Sequence, residues 1–114
     1  KFLIVDAGMN DLMRPSLYSA RHKIDNLLES SEKKDLYSVV GPVCETADSF
    51  GAGFEVNATS GDFLAVYSAG AYGSSMGSNY NTRLKPAEVL VDEENHKVIR
   101  KAETFDDLIK EEEI

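Results

Sequence analysis

Little in this chain of 114 residues can serve as a cross-link, a metal site or a membrane anchor. There is one cysteine, Cys44, which excludes an internal disulfide. No CxxC or His-Cys cluster offers a zinc ligand set, so the metal expectation is none. The only histidines are His22 and His96, and neither lies near Cys44 in sequence, so spacing does not support a Cys-His nucleophile pair. No apolar run is long enough to cross a bilayer, and no secretory core is visible, which points to a reducing, cytoplasmic setting. Positive charge is also scarce: 12 basic residues face 20 acidic ones, and the formal charge of -8 makes nucleic acid and anionic membranes poor partners. The acidity is concentrated in residues 92–114, where nine acids meet four bases.

What remains is ordinary globular material, 42% hydrophobic and 28% charged, of a length that suits one domain with a modest core. Phe2, Leu3, Ile4 and Val5 read as a buried strand that empties into a loop at Asp6-Ala7-Gly8. Almost nothing precedes that strand, not even a methionine, which suggests a trimmed chain or one piece of a longer one. Asp11 is placed to cap a single turn that Pro15 should stop from growing. Residues 18–28 suit a helix or a strand, and a strand is the reading taken. A charged loop over residues 29–35 leads to a strand over 36–40. Gly41-Pro42 interrupts it, and a polar stretch with Gly51 and Gly53 follows. After a turn at residues 57–62, Phe63, Leu64, Ala65, Val66 and Tyr67 form the clearest buried strand. Residues 73–81 are nearly all small or polar. A hairpin is expected from strands at 86–91 and 97–100, with its turn at 92–95. Thr104 and Asp107 form a capping box for a helix whose apolar face is Phe105, Leu108 and Ile109. The expected fold is therefore mainly β: five or six short strands in a β-barrel or compact sandwich-like domain, with a short C-terminal helix.

Three segments break from strands at glycines and carry polar or reactive groups: residues 6–18, 41–45 and 70–83. Loops of this kind are common carriers of function, because a rigid sheet stands behind a backbone free to turn. Taken alone, Arg14 reads as a solvated or structural arginine before a turn-forming Pro15. Tyr18 reads as a half-buried core aromatic and Cys44 as packing after an apolar valine. Glu45 reads as a surface carboxylate. The glycines flanking Tyr72 allow either close approach to a ligand or merely a tight turn.

The exact strings go further. Asp6-Ala7-Gly8-Met9-Asn10-Asp11-Leu12-Met13-Arg14-Pro15-Ser16-Leu17-Tyr18 comes first, followed by Gly41-Pro42-Val43-Cys44-Glu45. Gly70-Ala71-Tyr72-Gly73-Ser74-Ser75-Met76-Gly77-Ser78-Asn79-Tyr80-Asn81 is the third, with Arg83 and Pro86-Ala87-Glu88-Val89-Leu90-Val91 after it. In this order, over essentially the whole chain, they closely resemble the carboxy-terminal part of the diaminopimelate decarboxylase family, within the alanine racemase and ornithine decarboxylase class of pyridoxal-phosphate enzymes.

The resemblance implies that residues 1–114 are the C-terminal β-domain of a larger two-domain decarboxylase. The partner would be an N-terminal (β/α)8 barrel that carries the Schiff-base lysine for pyridoxal 5'-phosphate and has no counterpart here. It implies decarboxylation of meso-2,6-diaminopimelate to L-lysine and carbon dioxide by a homodimer with composite sites, and it implies that this chain alone is inactive. Arg14 would bind the distal carboxylate of the substrate and Tyr18 would be a second contact to it. Cys44 would be the catalytic proton donor, reaching into the neighbouring subunit's site. Glu45 would recognise the distal ammonium, and Tyr72 would contact both cofactor and substrate. Tyr80, Asn81 and Arg83 belong to the signature without an assigned contact. Related ornithine-type decarboxylases typically carry aspartate after the cysteine, so Glu45 with Arg14 would suit a substrate end bearing both charges. The alternatives are an ornithine- or arginine-type decarboxylase domain and a noncatalytic binding or regulatory β-domain.

Overall fold

The computed structural model describes residues 1–28 and 33–113, which form two compact units, Lys1–Gly77 and Ser78–Ile114. The chain is mostly sheet with a short C-terminal helix, and among the described residues its strands form three small sheets that do not close into a barrel.

In the first unit, β1 (Phe2–Ile4) pairs in parallel with β3 (Asp35–Val40), which pairs antiparallel with β4 (Ser49–Val56). A second sheet joins β2 (Ile24–Asn26) to β5 (Leu64–Val66) antiparallel. The core is Leu12, Ile24, Val39, Phe50, Phe54 and Val56, with Leu3, Val5, Leu64 and Val66 packed against it. Val39, fully buried, sits on the central strand of its sheet, where both faces can be covered.

β1 forms where the apolar run predicts it, but it is not buried: Phe2 is 70% and Ile4 76% exposed. Among the described residues it is an edge strand, and both side chains line an open hollow of about 700 Å3 with Phe63 and Leu64. β5 is likewise shorter and less buried than Phe63 to Tyr67 suggests, with Phe63 68% exposed.

The longest strand, β4, falls on the stretch read as polar and glycine-containing. Gly51 and Gly53 have φ of +116° and +73°, and register shifts interrupt the β3–β4 pairing, so the alternation that would reveal a strand is broken. Arg21 stabilises the distortion. Its Nη1 and Nη2 donate to the carbonyls of Ala52 and Gly53 at 2.8 and 2.9 Å, and its guanidinium lies 4.2 Å from the Phe54 ring centroid.

Helix α1 (Arg14–Tyr18) overturns two expectations. Pro15 opens the helix instead of stopping it, because an N–H in the first turn has no intrahelical partner to lose. Asp11 does not cap it; its carboxylate accepts from the Gly8 N–H at 2.8 Å and closes the preceding loop. The strand expected over 18–28 is confined to β2. Helix α2 (Gly70–Met76) arises from the small and polar stretch, with no side-chain cap. The charged loop expected at 29–35 lies, for residues 29–32, outside the described residues.

In the second unit, β6 (Glu88–Asp92) and β7 (Asn95–Arg100) form the expected hairpin, and α3 (Phe105–Ile109) starts at the Thr104–Asp107 capping box. Before the hairpin, a 3-10 turn (Tyr80–Thr82) places Asn81 at φ +59°, and Glu103 accepts from the Lys85 N–H at 2.9 Å.

Candidate functional site

Of the three segments singled out by sequence, residues 6–18, 41–45 and the 70–77 part of the third converge within the first unit. The loop between β1 and α1 and the loop between β3 and β4 leave the same end of one sheet, because β1 and β3 run parallel with Ile4 opposite Val40, whereas helix α2 follows β5 of the second sheet; specific contacts join all three.

The direct contact is between Arg14 and Tyr72. The Arg14 guanidinium carbon stands 4.9 Å from the centroid of the Tyr72 ring, a cation–π arrangement that fixes the fork against an aromatic face. Helix α1 and α2 meet here because α2 runs close to the β1–α1 loop: a Cβ on Gly73 would come 3.3 Å from the Asp11 carbonyl oxygen. Tyr18 lies four residues after Arg14 on α1 and therefore on the same helix face. It is 64% exposed, which excludes the core role its sequence alone allowed.

Cys44 and Glu45 are both exposed on the β3–β4 loop, and Cys44 is a free thiol. The packing role considered for Cys44 belongs instead to its neighbour Val43, which is 7% exposed. The loop is closed by the Gly41 N–H donating to the Asp48 carbonyl at 3.1 Å and the Asp48 N–H donating to the Glu45 carbonyl at 3.0 Å. It is tied to α1 by the Ser16 hydroxyl, which donates to the Ala47 carbonyl at 2.6 Å.

Two residues that build this arrangement escaped the reading by sequence, Ser16 and Asp48. Asp48 is buried at 4% exposure, and its carboxylate accepts from the Met9 N–H at 2.7 Å and the Val43 N–H at 2.6 Å. The sequence signal that could have found it is Gly41. A Cβ there would sit 2.4 and 2.5 Å from the two Asp48 carboxylate oxygens, so only glycine leaves room for that side chain. Tyr80, Asn81 and Arg83 belong to the second unit.

The arrangement is a cation stacked on a phenol ring, a second phenol on the cation's helix, and a thiol and a carboxylate on the adjoining loop. Among the described residues no cluster of histidine, cysteine and acidic groups could hold a metal ion. The start of α2 is uncovered: a Cβ on Gly70 would meet nothing within 4 Å, and Tyr72 is 55% exposed. No lysine occurs in residues 6–18, 41–48 or 70–77. These residues thus fit one flank of pyridoxal phosphate, but they cannot supply its covalent anchor.

Residues 1–70 match the family described as pyridoxal-dependent decarboxylase, C-terminal sheet domain. Over 108 residues the chain is 50% identical to the diaminopimelate decarboxylase of Haemophilus influenzae, covering 94% of this chain and 26% of that protein. The crystal structure of diaminopimelate decarboxylase from M. jannaschii in complex with L-lysine superposes with a TM-score of 0.92 at 42% identity, covering 99% of this chain and 26% of that one. The Helicobacter pylori enzyme complexed with L-lysine gives 0.89 at 46% identity, covering 97% and 28%. The chain thus spans about a quarter of the length of these relatives. The β1–β3–β4 and β2–β5 sheets and the first two of the three converging segments fall within the matched region, and the chain belongs to the pyridoxal-dependent decarboxylases, as their C-terminal sheet domain.

Proposed function

We propose that this chain, as the C-terminal β-domain of a larger two-domain enzyme, completes the active site of a diaminopimelate decarboxylase that converts meso-2,6-diaminopimelate to L-lysine and carbon dioxide. The observation that carries the reading is the Arg14–Tyr72 contact beside the loop bearing Cys44 and Glu45. The relatives at 50% identity bear the same activity in their names, and two of the similar structures hold L-lysine. The (β/α)8 barrel domain contributes the Schiff-base lysine, and the enzyme works as a cytoplasmic homodimer.

Pyridoxal phosphate supplies the electron sink for the pair left when carbon dioxide departs. Tyr72 would contact both the cofactor and the substrate. The Arg14 fork, held by that ring, pairs with the distal carboxylate, a geometry that a lysine cannot reproduce. Tyr18, on the same face of α1, donates a second hydrogen bond to that carboxylate, and Glu45 meets the distal ammonium. Cys44, exposed at the loop tip, reaches the site of a second subunit and holds a proton on Sγ for the carbon that lost its carboxylate. The thiolate regains its proton from water.

The pairing of Arg14 with Glu45 favours this substrate over ornithine, which has a distal amine and no distal carboxylate. In the complete enzyme, Arg14→Lys should raise KM for meso-diaminopimelate by about 10- to 100-fold, the worth of a hydrogen bond to a charged group, while any turnover of ornithine stays as it was. A wild-type enzyme that prefers ornithine, or an unchanged KM in the variant, overturns the reading.

A further inference from the structure

We propose that Asp48 is the positioning residue that fixes the loop bearing Cys44 and Glu45 against the β1–α1 loop and so sets the direction in which that loop reaches, an inference that rests on the functional reading above. Its two carboxylate oxygens accept from backbone N–H groups on two different loops: Met9, five residues before Arg14, and Val43, immediately before Cys44. Charge-assisted bonds of 2.6 to 2.7 Å are short and directional, so a single buried side chain fixes the distance between the two loops. Gly41 makes room for it, because a Cβ there would clash with both carboxylate oxygens. Gly8 keeps the two loops close, since a Cβ there would come 2.8 Å from Asn10 Oδ1 and 2.9 Å from the Val43 side chain. The Asp48 backbone closes the same loop, with its carbonyl accepting from Gly41 and its N–H donating to Glu45.

Both groups facing Asp48 are N–H donors, so the position requires two acceptors at once. Asparagine matches the size but turns an NH2 donor toward one of those N–H groups. One loop is then released while the side-chain volume is kept.

The test is Asp48→Asn in the complete enzyme, assayed well below its melting temperature beside Cys44→Ala and the double variant. The expected result is a kcat for meso-diaminopimelate lowered by about 10- to 100-fold, the effect of displacing a reacting group by about an ångström, with cofactor absorbance retained. The kcat of the double variant should be no lower than that of Cys44→Ala alone, because the loss of kcat runs through the thiol, while displacement of Glu45 should show in KM. Backbone exchange at Met9 and Val43 should quicken by at least about tenfold, as expected where a buried hydrogen bond is lost. A variant that melts earlier but keeps wild-type kcat has a merely structural Asp48, which overturns the proposal, and so does unchanged exchange at both amides. Full activity in Cys44→Ala instead overturns the functional reading. If Asp48→Asn yields no folded enzyme, exchange in the wild type decides: slow exchange at Met9 and Val43 supports the tether, and rates like those of open loop amides refute it.

Discussion

Cys44 and Asp48 lie four positions apart and divide the labour of one loop. The thiol is exposed in this chain, so Cys44→Ala should leave the melting temperature of the complete enzyme nearly unchanged. Turnover should fall by about 100- to 10,000-fold, the range contributed by a positioned proton donor. Steady-state kinetics alongside a thermal melt check both halves, and unchanged turnover would remove the role given to the thiol. The carboxylate of Asp48 is the reverse case, invisible at the surface and engaged entirely with backbone. Arg14 stands between these extremes: its guanidinium is partly covered by a ring, which costs less than full burial and still limits the directions it can point.

Short strands and one-turn helices hold together here because side chains brace the backbone between them. Arg21 satisfies carbonyls at the β4 bulge, and Ser16 links α1 to the β3–β4 loop. Asp62 does the same for the turn before β5: it accepts from the Thr59 N–H at 3.0 Å and from the Asn26 side chain of β2 at 2.8 Å. The Thr59 amide, followed by Asn26, holds the Asp62 carboxyl below its ordinary range. A carboxyl with a depressed folded value stabilises the fold above its unfolded value of about 4 and loses that contribution as pH falls through the lower folded one. Acidification below about pH 4 should therefore loosen the β2–β5 turn. In an NMR titration the Asn26 side-chain amide and the Thr59 N–H should shift together, and Asp62→Asn should abolish the pH dependence of both. Independent titration of the two signals would show that no shared carboxylate joins them.

The chain covers about a quarter of its relatives, and its candidate site is open, with Tyr18, Cys44, Glu45 and Tyr72 all exposed. An open half-site calls for a second wall, which the proposed barrel and second subunit would provide. Catalysis in trans can be tested by mixing two inactive complete enzymes, one carrying Cys44→Ala and the other disabled in its barrel domain. Random reassociation puts one intact site in half of the dimers, so activity should recover to about a quarter of the wild-type level. No recovery after verified subunit exchange would show that Cys44 serves the site of its own subunit.

Where an element is specified by contiguous residues, the chain could be read without coordinates. Gly41-Pro42-Val43-Cys44-Glu45 and the Arg14-to-Tyr18 spacing name their segments, the β6–β7 hairpin follows from alternation around a polar turn, and α3 follows from Thr104 and Asp107. Local pattern is enough there because the interactions span only a few residues. It failed for β4, where two glycines at positive φ break the alternation, and for α1, where Pro15 can open or stop a helix depending on what precedes it. The union of Arg14 with Tyr72, 58 positions apart, and of Asp48 with Met9, 39 apart, came from folding alone. Contacts over such separations depend on how the strands pair and where their ends emerge, and no window along the chain contains both partners.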